Sequence, residues 1–324
     1  MPNAIARLID LVEQAYAVKV ASLQPLNRLN DSSGKLICRV KLSGGHCFIL
    51  RLYPAANAGD VAQGVAAMLL FLEEQDYPAE RIIRPEEKAA LVTTPDGSQL
   101  LMTTCVEGTP TDYSPTTLHA LGATLGRLHA LRPGSEVSLP LAAMRPVNEI
   151  PWAAGQLTRV EAQVPASLRS RYEMILAALH AVDYCEDLPR VLIHNDCFPG
   201  NSVCTAAGEV VLIDWEGAGF GPAVLDVGFL LISCESASPW TPPFPPDPKR
   251  VAAVIDGYCQ HHRLAPSELD KLPDAIRFRS IVYGAVSFAE TIASGEDEPN
   301  WWWWRYSAAE EVAERARKQF ESYL

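Results

Sequence analysis

The sequence predicts an α+β fold in which a small antiparallel sheet comes first and a larger, mainly helical part follows. Three observations carry that reading. Strand-like runs separated by turn residues cluster before residue 107, the composition changes at Glu107-Gly108-Thr109-Pro110, and apolar residues at helical spacing fill most of the chain beyond. A period of two marks half-buried strands, and a period near 3.6 marks amphipathic helices. The expected division is therefore 1–107 and 108–324, and 324 residues are enough to bury a sizeable core in two lobes.

The elements follow in order. Ile5, Leu8, Ile9, Val12 and Tyr16 predict a helix over Asn3–Val18. Leu36, Cys38, Val40 and Leu42 alternate with polar or basic neighbours, Ser43-Gly44-Gly45 turns the chain, and Cys47–Tyr53 returns as the partner strand. A helix over Gly59–Gln75 turns Val61, Val65, Met68, Leu69 and Leu72 inward. Ala89–Thr94 and Gln99–Val106 flank the turn Pro95-Asp96-Gly97 as a second hairpin. Ser114-Pro115 opens a helix with Leu118, Leu121, Leu125 and Leu128 on one face, beside which His129 reads as a packed or capping residue. Pro140–Pro151 reads as loop and Ala166–His180 as helix. Val227–Ile232 predicts a buried helix, Ser238–Pro248 an extended proline-rich loop, and Val251–His261, Leu269–Ser294 and Ala308–Leu324 further helices.

The densest chemistry lies between Val191 and Asp226. An apolar run, Val191–Ile193, leads into His194-x-Asp196-x-x-x-x-Asn201, and a second, Val210–Ile213, ends in Asp214. This order is the one that phosphoryl transfer uses in kinase-fold enzymes. A hydroxyl that attacks phosphorus needs a carboxylate to orient it and take its proton, and Asp196 at a strand end is placed for that. Mg²⁺ is a hard cation that prefers oxygen, so the amide oxygen of Asn201 and the carboxylate of Asp214 are its expected ligands. Pro199-Gly200 lets the loop turn back, and the two apolar runs are expected to pair as a hairpin about Ala207-Gly208 that draws Asp196 towards Asp214. Each of these residues alone is an ordinary turn former; four in this register are not.

The segment His194–Asn201, with Ile213-Asp214-Trp215-Glu216 and Gly221-Pro222…Asp226, resembles the aminoglycoside phosphotransferase/choline kinase-like family, whose loop runs His-Gly-Asp-x-x-x-x-Asn. The resemblance implies a two-lobed protein-kinase-like fold, ATP (or GTP) with Mg²⁺, and transfer of the γ-phosphate to a hydroxyl of a small molecule. It implies Asp196 as catalytic base, Asn201 and Asp214 as metal ligands, and His194 and Asp226 as support for the loop, Asp226 alternatively capping a helix. Arg51, on the return strand, stands where the fold places a basic residue against nucleotide phosphates. Thr103–Val106 would be the hinge, with Thr104 and Val106 offering backbone groups to the base.

Two departures bear on activity. No Gly-x-Gly-x-x-Gly lies between Leu26 and Val40, so Ser32 and Ser33 with nearby backbone amides would have to cover the phosphates. Gln63-Gly64-Val65 stands where a helix Glu would pair the basic strand residue. These support a second reading, a nucleotide-binding scaffold or sensor without efficient catalysis. A protein-kinase reading is disfavoured because no Ala-Pro-Glu follows Asp214.

Composition narrows the classes further. A formal net charge of −12 disfavours a nucleic-acid partner and suits a cationic or amine-bearing acceptor. Glu298 with Trp301 and Trp304, in the acidic and tryptophan-rich segment, are the candidate acceptor contacts. No run is apolar and long enough to span a bilayer, no secretion signal opens the chain, and eight cysteines without a Cys-x-x-Cys pair suit a reducing cytoplasm. The sequence leaves the acceptor and the oligomeric state open.

Overall fold

The computed structural model describes residues 2–26, 35–55, 58–85, 89–132, 146–234, 246–295 and 301–323. Ser32, Ser33, Glu298 and most of the proline-rich 238–248 segment lie outside them, as does the side chain of Trp301. The chain divides into two compact units, Met1–Glu107 with 134–143, and Gly108–Pro133 with Met144–Leu324.

The first unit contains α1 (Pro2–Tyr16), β1 (Val20–Pro25), β2 (Leu36–Leu42), β3 (Cys47–Tyr53), α2 (Ala58–Glu74), β4 (Val92–Thr93) and β5 (Gln99–Thr104). The strands form one antiparallel sheet in the order β1-β2-β3-β5-β4. Gly45, at a φ of 91°, makes the β2–β3 turn. Alternation then sorts the side chains: Cys38, Val40, Leu50, Leu100 and Met102 bury one face against Leu8, Val12 and Tyr16 of α1. Arg51 and its cross-strand partner Leu101 necessarily point to the opposite face. β1 was not predicted, because an edge strand that buries little carries a weak period and tolerates Pro25 at its end.

The second unit contains β6 (Thr109–Pro110), α3 (Pro115–Ala130), α4 (Pro146–Val160), α5 (Arg169–Ala181), β7 (Arg190–Ile193), β8 (Ser202–Cys204), β9 (Val210–Leu212), β10 (Gly219–Pro222), α6 (Ala223–Ser233), α7 (Pro248–Tyr258), α8 (Pro266–Asp270), α9 (Leu272–Ser294) and α10 (Trp301–Glu321). Ser114 caps α3 by accepting from the Thr117 N–H, with Pro115 at the first helical position. Helix α9 is the hub, packing on α4, α5, α6 and α10.

Three expectations are corrected. The runs Val191–Ile193 and Val210–Leu212 do not pair with each other: β7 pairs with β10, and β9 pairs with β8. Ser202–Cys204 is separated from β9 by only a short turn at Gly208, so local closure wins over the longer loop. The 146–151 part of the expected loop is helix, with Pro151 inside α4; burial of Glu149, Ala153, Leu157 and Val160 outweighs the lost hydrogen bond. Asp226 is not an N-cap, since Pro222 holds that place and Asp226 lies within the first turn of α6.

Helices α3 and α7 approach so closely that a Cβ on Gly122 would sit 2.1 Å from the Val254 carbonyl oxygen, and one on Gly257 would sit 1.9 Å from that of His119. The obstacle is backbone, which cannot rotate away. Gly122→Ala should therefore lower unfolding stability by about 1–3 kcal/mol or more; a urea midpoint equal to that of the unmodified chain would show that the two helices are not held this tightly.

Candidate active site

The loop between β7 and β8 is fixed from beneath by one carboxylate. Asp226, 1% exposed in α6, accepts the His194 N–H at Oδ2 and the Asn195 N–H at Oδ1, each at 2.7 Å. His129 Nε2 lies 3.2 Å from Oδ2, and its Nδ1 lies 2.8 Å from the Tyr258 hydroxyl. Burial holds the Tyr258 phenol well above its ordinary pKa, so it keeps its proton and donates, which leaves Nε2–H of His129 to donate to Asp226. Burial pushes the Asp226 carboxyl up, but His129 and the backbone donors outweigh it and hold the group below the usual value. His194 turns its Nε2 to the Ile213 carbonyl at 3.0 Å and rests its ring 4.7 Å from that of Trp215. Burial lowers its pKa, so the ring is neutral and ties the loop to the end of β9.

A second network acts from the side. Asn195 adopts a φ of 64°, the left-handed region that Gly occupies freely and Asn tolerates better than most residues. Here it stands where the family loop has Gly. Its Nδ2 donates to Glu149 Oε1 at 2.7 Å, and its Oδ1 accepts from Arg279. Arg279 Nη1 also donates to Glu149 Oε2 at 2.5 Å, and Nη2 donates to the Asn195 carbonyl at 2.5 Å. Burial opposes the guanidinium charge, but the carboxylate of Glu149 outweighs that and raises the Arg279 pKa, so the cation is permanent.

Asp196 emerges from these supports half-buried. Its Oδ2 accepts from Asn201 Nδ2 at 2.7 Å, and its Oδ1 accepts from the Tyr283 hydroxyl at 2.7 Å. The Asn201 amide is thereby oriented with Nδ2 on Asp196. The backbone N–H of Ile213 donates to the Asn201 carbonyl at 3.0 Å, which brings Asp214, the next residue, to the same strand ends. Asp214 itself has a φ of 68° and opens a turn over Trp215–Gly217. Among the described residues no three His, Cys, Asp or Glu cluster as a metal cage. An amide oxygen and one carboxylate suit Mg²⁺, which keeps waters and takes its remaining ligands from substrate phosphates.

In the first unit, Arg51 is 5% exposed and donates to Glu80 at 2.8 and 3.0 Å and to Thr103 Oγ1 at 3.1 Å; the Thr103 hydroxyl donates to Glu80 at 2.7 Å. Glu80 was missed by the sequence reading, which looked for the partner inside α2. It lies beyond the helix end, two residues before Ile82, which bridges to Thr103 of β5. The Thr104 N–H donates to the Arg81 carbonyl, so that donor is committed; Val106 follows in the connecting segment.

Of the tryptophans, Trp302 lies 4.9 Å from the Tyr283 ring, Trp303 stacks on Tyr306, and Trp304 is 41% exposed. The Trp302 ring already carries the Arg305 guanidinium at 4.9 Å. Neither Tyr283 nor Arg279 stood out in the sequence, since Arg279-x-x-x-Tyr283 reads as one more helical spacing.

A sheet unit and a helical unit whose β7 runs into His194-x-Asp196-x-x-x-x-Asn201 define a protein-kinase-like phosphotransferase fold. The model of the APH phosphotransferase enzyme family matches residues 35–272, and the chain belongs to that family. Among solved structures it is similar to the amicoumacin kinase hAmiN in complex with AMP-PNP, Ca²⁺ and Ami (TM-score 0.70, 16% identity, 96% of this chain and 93% of that one). It is likewise similar to the spectinomycin phosphotransferase APH(9)-Ia with ADP and spectinomycin (0.66, 15%, 98% and 98%) and to the choline kinase LicA from Streptococcus pneumoniae (0.61, 14%, 96% and 99%). No curated protein matches the chain.

Asn195→Gly and Asn195→Ala both delete the side-chain contacts to Glu149 and Arg279 and leave the backbone carbonyl bond to Arg279, but only Ala is strained at positive φ. Urea denaturation should rank the unmodified chain above Asn195→Gly and that variant above Asn195→Ala, in steps of about 1–3 kcal/mol. Equal stabilities for the two variants would contradict the backbone argument.

Proposed function

We propose that this chain is a phosphotransferase that moves the γ-phosphate of ATP, or GTP, to the hydroxyl of a small molecule with the help of Mg²⁺. The observation that carries the proposal is the Asp196 carboxylate, half-buried and held at both oxygens, with Asn201 on one of them and the Asp214 strand end alongside. Asp196 orients the acceptor hydroxyl and takes its proton. Asn201, through its amide oxygen, and Asp214 hold the metal, which when bound neutralises charge developing on the phosphates. Arg51 contacts phosphate, with Ser32, Ser33 and the Val106 backbone as further nucleotide contacts. Catalysis comes chiefly from positioning and charge neutralisation.

The scaffold or sensor reading rested on a missing Glu and a missing glycine loop. The Arg51–Glu80 pair weighs against the first ground, because the basic strand residue has a buried carboxylate partner supplied from outside the helix. An amine-bearing acceptor draws support from the net charge of −12 and the exposed Trp304. Trp302 adds nothing to it, since its ring already carries a guanidinium. No helix among the described residues is long and apolar enough to cross a membrane, and all eight cysteines are free thiols, which favours a cytoplasmic setting.

Thermal-shift titration with ATP and GTP, with and without Mg²⁺, should give a Mg²⁺-dependent stabilisation, about 2.7 kcal/mol at a nucleotide concentration 100 times Kd. Asp214→Ala should lose the Mg²⁺-dependent part. An unchanged Mg²⁺ response in that variant would remove Asp214 from the metal site.

A further inference from the structure

Both oxygens of the candidate base are occupied by the protein itself, and one occupant is a hydroxyl. The Tyr283 phenol donates to Asp196 Oδ1 at 2.7 Å, the partner and distance that an attacking hydroxyl needs. The ring is held in that pose from several sides: Trp302 lies 4.9 Å away, Phe229 5.8 Å away, and the Arg279 guanidinium 5.3 Å from its centroid. Arg279 is one helical turn earlier on α9 and also grips the Asn195 carbonyl, so the same helix fixes the loop and caps its base.

We propose that Tyr283 stands in for the acceptor hydroxyl and withholds Asp196 from water until an acceptor arrives. This rests on the phosphotransferase reading above. A base beside a bound nucleoside triphosphate activates any hydroxyl that reaches it, water included. Water would attack the γ-phosphorus, the bond from that phosphorus to the β–γ bridging oxygen would break, and the water proton would pass to Asp196. The products would be nucleoside diphosphate and inorganic phosphate. Tyr283 blocks that route by holding the hydrogen-bonding position. Burial and the neighbouring Asp196 charge hold its phenol well above the ordinary pKa, so it stays protonated and keeps donating to Asp196. An arriving acceptor hydroxyl displaces the phenol and takes over its hydrogen bond to Asp196, so that Asp196 keeps a donor at Oδ1 throughout.

The test is phosphate release from MgATP with no acceptor present, using the full chain and its Tyr283→Phe variant. Phe keeps the ring contacts and removes only the hydroxyl. Acceptor-independent hydrolysis should rise roughly tenfold or more, a part of the 10²–10⁴ that a positioned base supplies. The rise should vanish in the Asp196→Asn/Tyr283→Phe double variant, which a general loosening of the fold would not produce. Hydrolysis unchanged or lower in Tyr283→Phe, with MgATP stabilisation intact, would overturn this proposal and leave the phosphotransferase reading standing. No MgATP stabilisation in either protein would overturn both.

Discussion

The loop that carries Asp196 is held from beneath by the buried carboxylate of Asp226. Asp226 offers its two oxygens to two successive backbone N–H groups, those of His194 and Asn195, and the residue that follows them is Asp196. Charge-assisted hydrogen bonds of this kind contribute about 1.5–3 kcal/mol each. A carboxylate buried without them would cost several kcal/mol, so the loop and α6 fold together or not at all. The His129–Tyr258 chain supplies a third donor and links the same carboxylate to α3 and α7. The close glycine contacts between those helices thus serve the site indirectly, by fixing where His129 lies.

Of the five described non-glycine residues at positive φ, two lie in the candidate site. Asn195, next to the candidate base, and Asp214, itself a candidate metal ligand, are both at positive φ, and such conformations cost on the order of 1 kcal/mol or more unless their surroundings enforce them. At Asn195 the enforcement is visible: Glu149 and Arg279 hold the amide at both ends. A side chain in place of glycine could have weakened the turn. Instead it recruits α4 and α9 into the support of the loop. The first unit follows the same logic on its sheet, where Arg51 is compensated by a carboxylate from a connecting segment and a hydroxyl from β5.

The parts legible in sequence were those with local causes. Alternation in Leu36–Leu42, the Gly44-Gly45 turn, the Ser114-Pro115 cap and the heptad-like leucines of α3 each reflect contacts a few residues apart, and the structure has those elements. The His194–Asn201 pattern was legible because its spacing encodes one loop. What escaped depended on distant partners. Glu80 meets Arg51 across 29 residues, and Glu149 meets Arg279 across 130. Tyr283 reaches Asp196 from a helix whose apolar period conceals it. Strand pairing failed for the same reason, since Gly219–Pro222 has no strand signature until β7 lies beside it. In the tryptophan run, Trp302, outside the expected Trp301/Trp304 pair, is the ring beside Tyr283.

The central claim is that Asp196 is the base for transfer to a small-molecule hydroxyl. Phosphorus NMR of ATP and Mg²⁺ incubated with pooled amino alcohols, sugars and aminoglycosides tests it most directly, run on the full chain and on Asp196→Asn. The account predicts a new phosphomonoester resonance with the unmodified chain and none with the variant, while both remain stabilised by MgATP. Equal phosphomonoester formation by Asp196→Asn would contradict it.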